Sequence, residues 1–214
     1  MRLEFGKGVR LTDDASRELA DVVVDARTGS VTHLVVQPHD DPDGARLVPI
    51  DLAAGDGDGE DISLDCTTRA LDEMERVHEH RVVRAGQAAD QDSNWDIGVE
   101  DVQPIPEYAP TAFGEYGGAF GQDVAITYDR VPKGEIELRH ASAVYSSDSH
   151  HMGSVEGVVV DSGDRITHLL LERGHLWWRR ELAVPAAAVS KFEQDMVVLG
   201  VTKSELGEVV AKDD

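Results

Sequence analysis

The sequence predicts an all-β fold with minor α content, on the basis of three observations. Short runs of aliphatic and β-branched residues recur along the chain, separated by turns that contain Gly, Asp or Pro. The residue pattern at 21–36 returns at 157–171. Of the 214 residues, 41% are hydrophobic and 29% are charged, a composition typical of a folded chain with a core. We therefore expect two small β-barrels, each followed by a short helix.

The repeated segment has the form Val-Val-Val-Asp, a short turn, and then Thr-His-Leu followed by two aliphatic residues. It begins at Val22 in the first copy and at Val158 in the second. Further along, Leu-Val-Pro at 47–49 corresponds to Ala-Val-Pro at 183–185, so the offset stays at 135 or 136 residues. A register held over about 45 residues predicts a duplicated module.

Each copy is predicted to contain a hairpin. In the first copy, strands at 22–25 and 31–37 flank a turn that contains Gly29. In the second copy the turn is 161–164, where we expect Gly163 to adopt a positive φ. Continuous aliphatic triplets, rather than alternating ones, are typical of small barrels whose strands are covered on both sides.

Characteristic residues mark the ends of the predicted strands and the starts of the predicted helices. Pro49 and Pro185 each follow a valine and are expected at strand ends, where no backbone N–H is needed. Helices are predicted after the last strand of each copy, at 67–77 and 202–210. Their expected N-caps are Thr67 or Thr68 in the first copy, and Thr202 with Glu205 in the second.

The chain is predicted to have three segments. Residues 1–80 form a first barrel with its C-terminal helix, residues 81–134 form a linker, and residues 135–214 form a second barrel with its helix. The linker is rich in Gly and Pro and carries scattered aromatic residues, so we expect it to be partly packed. Strand structure is expected to resume at 134–138.

The net charge of −22 bounds the possible partners and the location of the chain. Such an acidic chain repels nucleic acid and anionic membrane surfaces, so we expect no direct contact with either. No apolar run approaches the roughly 20 residues of a membrane helix. The single cysteine, Cys66, fits a reducing compartment, and we predict a cytoplasmic protein. The first segment carries −11 of this charge, the middle −5 and the last −6.

One segment departs from the acidic character of the chain. It combines two tryptophans with three arginines and one histidine, and its candidate interaction residues are Arg173, His175, Trp177, Trp178, Arg179 and Arg180. Trp and Arg are enriched at interaction hot spots. Stacking of Trp on Arg within the fold is the alternative. If the segment is a surface, its simplest complement is an acidic one, on the other barrel or on a second subunit.

The histidines are the other candidates for chemistry. His78 and His80, together with His150, His151 and nearby His140, could in principle converge on a metal ion. Because His78 and His80 are two residues apart on a predicted helix, their side chains face apart and we expect no metal site. His33 and His168 occupy the same place in both copies, which indicates a shared structural role such as hydrogen bonding across the barrel.

Other motifs of catalysis or ligand binding are not found in the sequence. It contains no nucleophile elbow, phosphate loop or dinucleotide fingerprint, so we predict no catalytic residue and no cofactor. The Asp-rich residues 56–61 lack the bidentate Glu of a calcium loop and are predicted to form a solvated turn.

The second copy resembles the PRC-barrel family in residues 154–161, 166–169, 173–177 and 184–185. This small β-barrel forms the cytoplasmic part of the photosynthetic reaction-centre H subunit and the C-terminal domain of a ribosome maturation factor. The resemblance covers both copies and implies two tandem barrels. Its motifs specify turns, strand cores and barrel closure, and they carry no catalytic residue to transfer.

We therefore expect a non-catalytic protein-interaction or scaffold protein whose partner is unidentified. The barrels are expected to pair within one chain or with those of a second chain in a homodimer. One alternative is an accessory factor in RNA or ribosome processing that binds a ribosomal protein. A second alternative is a metal-binding or stress-related soluble protein. Fold analogy alone does not choose between them.

Overall fold

The computed structural model describes residues 1–39, 41–54, 62–84, 95–104, 123–173, 180–193 and 196–207, and the chain is mostly β-strand with two minor helices. This confirms the predicted all-β class with minor α content. The chain divides into two compact units. One consists of Met1–Arg76 and Gly134–Asp214, here called the first and second halves, and the other is the middle unit, Val77–Lys133.

The first half contributes seven strands, and all of them except β1 form the first sheet together with one strand from the second half. In chain order they are β1 (Arg2–Glu4), β2 (Gly8–Arg10), β3 (Ser16–Asp25), β4 (Ser30–Gln37), β5 (Arg46–Pro49), β6 (Ala53–Ala54) and β7 (Ile62–Leu64). The helix α1 (Thr68–Asp72) follows, and 3-10 turns lie at Pro42–Gly44 and Ile50–Leu52.

The middle unit is a three-stranded antiparallel sheet of β8 (His78–Arg84), β9 (Trp95–Pro104) and β10 (Asp123–Pro132), in the order β8-β10-β9. The amide of Arg130 donates to the carbonyl of Val77 (2.8 Å), so the chain enters and leaves this unit at adjacent points. The predicted helix at 67–77 is limited to α1. His78 and His80 therefore belong to a strand. The prediction that their side chains face apart assumed a helix and no longer applies.

The second half contributes β11 (Glu135–Leu138), β12 (Ala143–Tyr145), β13 (His151–Val160), β14 (Ile166–Arg173), β15 (Arg180–Pro185), β16 (Val189–Glu193) and β17 (Met196–Leu199). A 3-10 turn lies at Ala186–Ala188, and residues 203–207 are helical. A strand, β11, is present within the predicted 134–138, but strand structure does not resume there because β10 ends at Pro132.

The two sheets of the first unit have the same strand order. The first runs β5-β4-β3-β2-β7-β6 and the second runs β15-β14-β13-β12-β17-β16. In each sheet one pair of strands is parallel, β2 with β7 in the first and β12 with β17 in the second. Positions that hold the same place in the two orders are called equivalent below.

The halves exchange their leading strands. β1 pairs with β13 of the second sheet, with Leu3 opposite Val158, and β11 pairs with β3 of the first sheet, with Leu138 opposite Val22. The N-terminal ammonium group of Met1 also donates to the Val160 carbonyl (2.7 Å). Each sheet is thus completed by a strand from the other half of the chain.

A second contact between the halves is reciprocal. Ser30 and Arg165, which are equivalent, form an antiparallel bridge. The Val31 amide donates to the Asp164 carbonyl (2.8 Å), and the Ile166 amide donates to the Gly29 carbonyl (2.9 Å). Each of these two hydrogen bonds joins residues equivalent to those of the other, with donor and acceptor in opposite halves. The halves are therefore related here by a local two-fold axis.

One continuous apolar core joins both sheets, and it includes Leu3 and Leu138 from the exchanged strands. The aliphatic triplets supply much of it, since Val22, Val24 and Leu34 of the first sheet are fully buried. Burial of apolar surface contributes roughly 25 cal/mol per Å². The exchange therefore stabilises both halves through the same core.

Several predicted local features are confirmed, and one is wrong. Pro49 and Pro185 end β5 and β15, as expected. The Thr67 hydroxyl accepts from the Ala70 amide (3.3 Å) and so caps α1. Gly163 does not have a positive φ. That conformation falls on Asp164 (φ 61°), because Oδ1 of Asp161 accepts bonds from the amides of residues 163 and 165 and shapes the turn.

The predicted capping box of the last helix is also confirmed. Glu205 N donates to the Thr202 hydroxyl (3.3 Å), and Thr202 N donates to the Glu205 carboxylate (2.8 Å). No helix among the residues described above is long and apolar enough to span a membrane.

Candidate functional site

A cavity of about 320 Å³ opens in the second sheet where the exchanged strand β1 crosses it. This volume lies at the lower end of the range for ligand pockets, roughly 300–1,000 Å³. Four of its six lining residues are glutamates, and the lining is Glu4, Phe5, Glu156, Leu170, Glu172 and Glu181. We call this site the acidic cavity.

Strand pairing accounts for the position of each glutamate. Glu172 of β14 and Glu181 of β15 are directly opposite one another. Glu156 lies where the register of β13 against β14 shifts, between Val155 and Gly157, and a bulge of this kind redirects a side chain. Glu4 ends the exchanged strand β1 opposite Gly157. Like charges directly opposite on neighbouring strands are destabilising, so the Glu172 and Glu181 pair is a cost that the fold does not require.

Two basic side chains partly balance the glutamates. The Arg2 guanidinium donates to both Glu4 and Glu181, and all three side chains are substantially exposed. His140 Nε2 lies 3.2 Å from Glu156 Oε2, and its ring contacts Phe5 edge-on with centroids 6.2 Å apart. Exposed ion pairs of this kind contribute little stability.

The carboxyl of Glu156 is the most perturbed group of the cavity. Partial burial raises its pKa, and the neighbouring Glu172 raises it further, while His140 opposes the shift. A cation that binds beside such a carboxyl favours its ionised form and so lowers its pKa again. Chemically, the acidic cavity can accept one organic cation against an apolar floor formed by Phe5 and Leu170.

The equivalent positions of the first sheet carry no carboxylate. Glu4 corresponds to Arg139, Glu156 to Ala20, Glu172 to Gln37, and Glu181 to Ala45. The strand order is the same in both sheets, and so is the register of the strand pairs that carry these residues. The glutamates are therefore a property of the second sheet and not a requirement of the shared backbone.

Only the two ends of the sequence-predicted interaction segment, 173–180, belong to the described residues. Arg173 and Arg180 are Cα partners and follow Glu172 and Glu181 in the same ladder. His175, Trp177, Trp178 and Arg179 lie outside the described residues, as does the Asp-rich stretch 56–61. The predicted surface therefore stays a prediction.

A second polar cluster, at Ser146, Asp148 and His150, has the residue types of a hydrolase triad but a different geometry. The Ser146 hydroxyl donates to Asp148 (2.6 Å), and His150 Nδ1 lies 3.1 Å from the same carboxylate. Ser146 is buried, and Asp148 also accepts from the Lys203 amide (3.2 Å) at the start of the last helix. The equivalent Asp13 accepts from the Thr68 amide (2.9 Å) in the same way. The cluster is thus a helix-anchoring turn.

The remaining candidate residues have structural environments. His33 Nδ1 lies 3.1 Å from the Thr32 hydroxyl, and His168 Nδ1 lies 3.1 Å from the Thr167 hydroxyl. This shared contact is local rather than across a barrel. Cys66 is buried and free, and burial raises the pKa of its thiol, which disfavours the reactive thiolate. Within the described ranges, no three His, Cys, Asp or Glu side chains are grouped to hold a metal ion.

Sequence reasoning did not single out any of the four glutamates. In an acidic chain each is unremarkable, and their convergence depends on the strand exchange that brings Glu4 to β13. A signal did exist, because aligning the two copies shows that Glu156, Glu172 and Glu181 replace Ala, Gln and Ala.

Comparison with protein-family models finds no matching family, and comparison with curated proteins finds no matching relative. The function must therefore be inferred from the geometry of the chain itself.

Proposed function

We propose that this chain is a non-catalytic protein-interaction protein, and that its acidic cavity binds a basic side chain of the partner. The observation that carries the proposal is the convergence of four glutamates around a cavity at positions where the first sheet has Arg, Ala, Gln and Ala. A repulsive cross-strand pair is retained only in the second sheet. Arrangements that cost stability in this way are typical of binding sites.

The shape and lining of the cavity support an arginine or lysine side chain as the ligand. Phe5 and Leu170 can pack along an aliphatic stem, while the carboxylates receive the charged end. The 173–180 segment, which follows Glu172 in the sequence and is rich in Arg and Trp, would provide a second contact of opposite charge. A partner with a basic residue beside an acidic patch would complement both.

The PRC-barrel resemblance is compatible with the same class of function, because the motifs that carry it are structural and include no catalytic residue. We propose that the two sheets are a duplicated pair of such modules in the cytoplasm. The alternative of an accessory factor in RNA or ribosome processing is favoured by the acidic cavity, since proteins that bind RNA carry basic surfaces that it could contact.

The test uses an acetylated and amidated Gly-Arg-Gly peptide, with Gly-Gln-Gly as the neutral control, titrated into the full chain by NMR or calorimetry. We expect saturable binding of the Arg peptide only. Glu172→Gln should weaken binding about tenfold, the loss expected for one charge-assisted bond.

Glu73→Gln is the matched control, because Glu73 is an exposed glutamate of comparable charge that pairs with Arg69 away from the cavity. It should leave the affinity unchanged. Equal loss in both variants would mean that the peptide senses only net charge, and the proposed site would then be rejected.

A further inference from the structure

A second site lies in the first sheet, at the start of β5. Arg46 is buried, with 9% of its surface exposed, and its Nε and Nη1 atoms are fully enclosed without a hydrogen-bond partner in the described part of the chain. A guanidinium remains charged at any physiological pH. Enclosing such a charge without a partner is unfavourable, because the water that solvated it is not replaced.

A second arginine lies opposite Arg46 on an adjacent stretch of backbone. Arg46 and Arg76 are partners in an antiparallel bridge, and the adjacent Leu47 amide donates to the Glu75 carbonyl (2.9 Å). Side chains directly opposite in such a pair project to the same face, with Cβ atoms about 4.5–5.5 Å apart. Arg76 is exposed. One enclosed cation and one surface cation therefore lie side by side.

The backbone at this place does not require a charged residue. In the second sheet the equivalent residue is Leu182, since Leu182 pairs with Leu171 as Arg46 pairs with Val36. Leu182 packs against the apolar core. An apolar side chain thus fits this place in the strand order, and the guanidinium serves some purpose other than packing.

We propose that Arg46 and Arg76 form a binding site for an oxyanion of the phosphate or carboxylate class. Guanidinium groups bind both anions through charge-assisted hydrogen bonds, which are stronger than neutral ones. A bound oxyanion places a negative charge beside the guanidinium of Arg46, which is 9% exposed, and cancels the repulsion between the two arginines. Residues 1–80 carry a net charge of −11, so a bulk anion has no general attraction to this part of the chain, and binding depends on this pair.

The test measures the thermal unfolding midpoint of the full chain in sodium phosphate, sodium acetate and sodium chloride at one ionic strength. Phosphate stabilises many proteins by exclusion from their surfaces, so the quantity of interest is the difference between wild type and variants. We expect a saturable rise in the midpoint with phosphate or acetate for the wild type. The saturable part of the rise should be absent in Arg46→Leu and should require at least tenfold more anion in Arg76→Gln.

Arg69→Gln is the control, because Arg69 is a highly exposed arginine of the same half that pairs with Glu73. It should respond to the anions as the wild type does. In chloride alone, Arg46→Leu should unfold at a higher temperature than the wild type, whereas a merely structural arginine would give the opposite sign.

Calorimetry of the wild type and Arg76→Gln with inorganic phosphate and with acetate identifies the anion, and it serves equally if Arg46→Leu fails to fold. Saturable heat with either anion that weakens in Arg76→Gln supports the site and selects phosphate or carboxylate. No saturable heat with either anion, or an equal rise of the midpoint in wild type and Arg46→Leu, overturns it.

Discussion

The two sheets of the first unit share one backbone plan and differ in the side chains that it carries. The Leu11 amide donates to the Ala15 carbonyl (3.0 Å), and the equivalent Ser146 amide donates to the His150 carbonyl (2.9 Å). Asp13 and Asp148 both anchor the helix that follows. Contacts present in both sheets belong to the fold. The acidic cavity, in contrast, is a feature of the second sheet, and the enclosed Arg46 is a feature of the first. Side chains that differ within a common plan are therefore the best guide to function.

The two exchanged strands are also held by different means. On the second sheet, β1 passes so close to Gly157 that an added Cβ would lie 2.2 Å from the Leu3 carbonyl oxygen, and the Phe5 amide bonds directly to the Glu156 carbonyl. On the first sheet, the residue equivalent to Gly157 is Asp21, whose carboxylate accepts from the His140 amide (2.6 Å). One junction uses close backbone approach and the other uses a side chain.

The largest expected effect comes from Gly157→Ala. The new Cβ meets backbone atoms of Leu3 and Glu4 that no rotamer change can move, so β1 must shift off β13. We expect a loss of about 3 kcal/mol in the free energy of unfolding, at the upper end for overpacking. Urea denaturation followed by circular dichroism measures it.

Gly163→Ala is the control, since its nearest contact would be an ordinary 3.4 Å and no loss is expected. Similar stabilities for the two variants would contradict the close packing of β1.

A smaller effect, of opposite sign, is expected for Glu172→Gln. This substitution introduces into the second sheet the residue type that the first sheet has at the equivalent position. Removing one of two facing carboxylates should stabilise the chain by about 0.5 kcal/mol at pH 7. The folded state raises the pKa of Glu156 above its unfolded value, so the wild type should gain stability as the pH falls through that raised value.

Glu172→Gln should gain less stability on acidification, because part of the cause of the raised pKa of Glu156 has been removed. Urea denaturation at pH 7 and pH 5 compares the two proteins. An identical pH profile would show that Glu172 and Glu156 do not interact.

The smallest effect concerns the anchor of the last helix. The Ser146 hydroxyl and the Lys203 amide, both bonded to Asp148, lower the pKa of its carboxyl from 3.8 to about 2. Its contribution to stability should be complete above pH 3.8 and should disappear as the pH falls through about 2. Asp148→Asn should be less stable than the wild type at neutral pH and equal to it near pH 2. The same test on Asp13→Asn, measured by thermal unfolding, shows whether the equivalent anchors behave alike.

Local patterns in the sequence were sufficient to predict the hairpins, the strand-ending prolines and the helix caps, because each depends on a few neighbouring residues. The pairing of β1 with β13 was not predicted, since nothing within β1 specifies which of two similar sheets it joins. The strands β8, β9 and β10 were also missed, because Gly, Pro and Asp around them gave the region the composition of a linker.

For the candidate site, too, local composition was predictable and the grouping of distant residues was not. The composition of the 173–180 segment identified its Arg and Trp residues at once, whereas the glutamates of the cavity come from four different strands. Their grouping is a consequence of tertiary structure, and in a chain with 42 acidic residues no single glutamate stands out.

The strand exchange has a consequence for the order of events during synthesis. β1 leaves the ribosome well before its partner β13, which begins at residue 151, and β3 likewise waits for β11. At about 5–20 residues per second, the first sheet remains incomplete for on the order of ten seconds. Contacts so distant along the chain also slow folding once synthesis is finished. For that interval the exposed edge of β3 is open to other extended chains, which makes the nascent first half the state most in need of a chaperone.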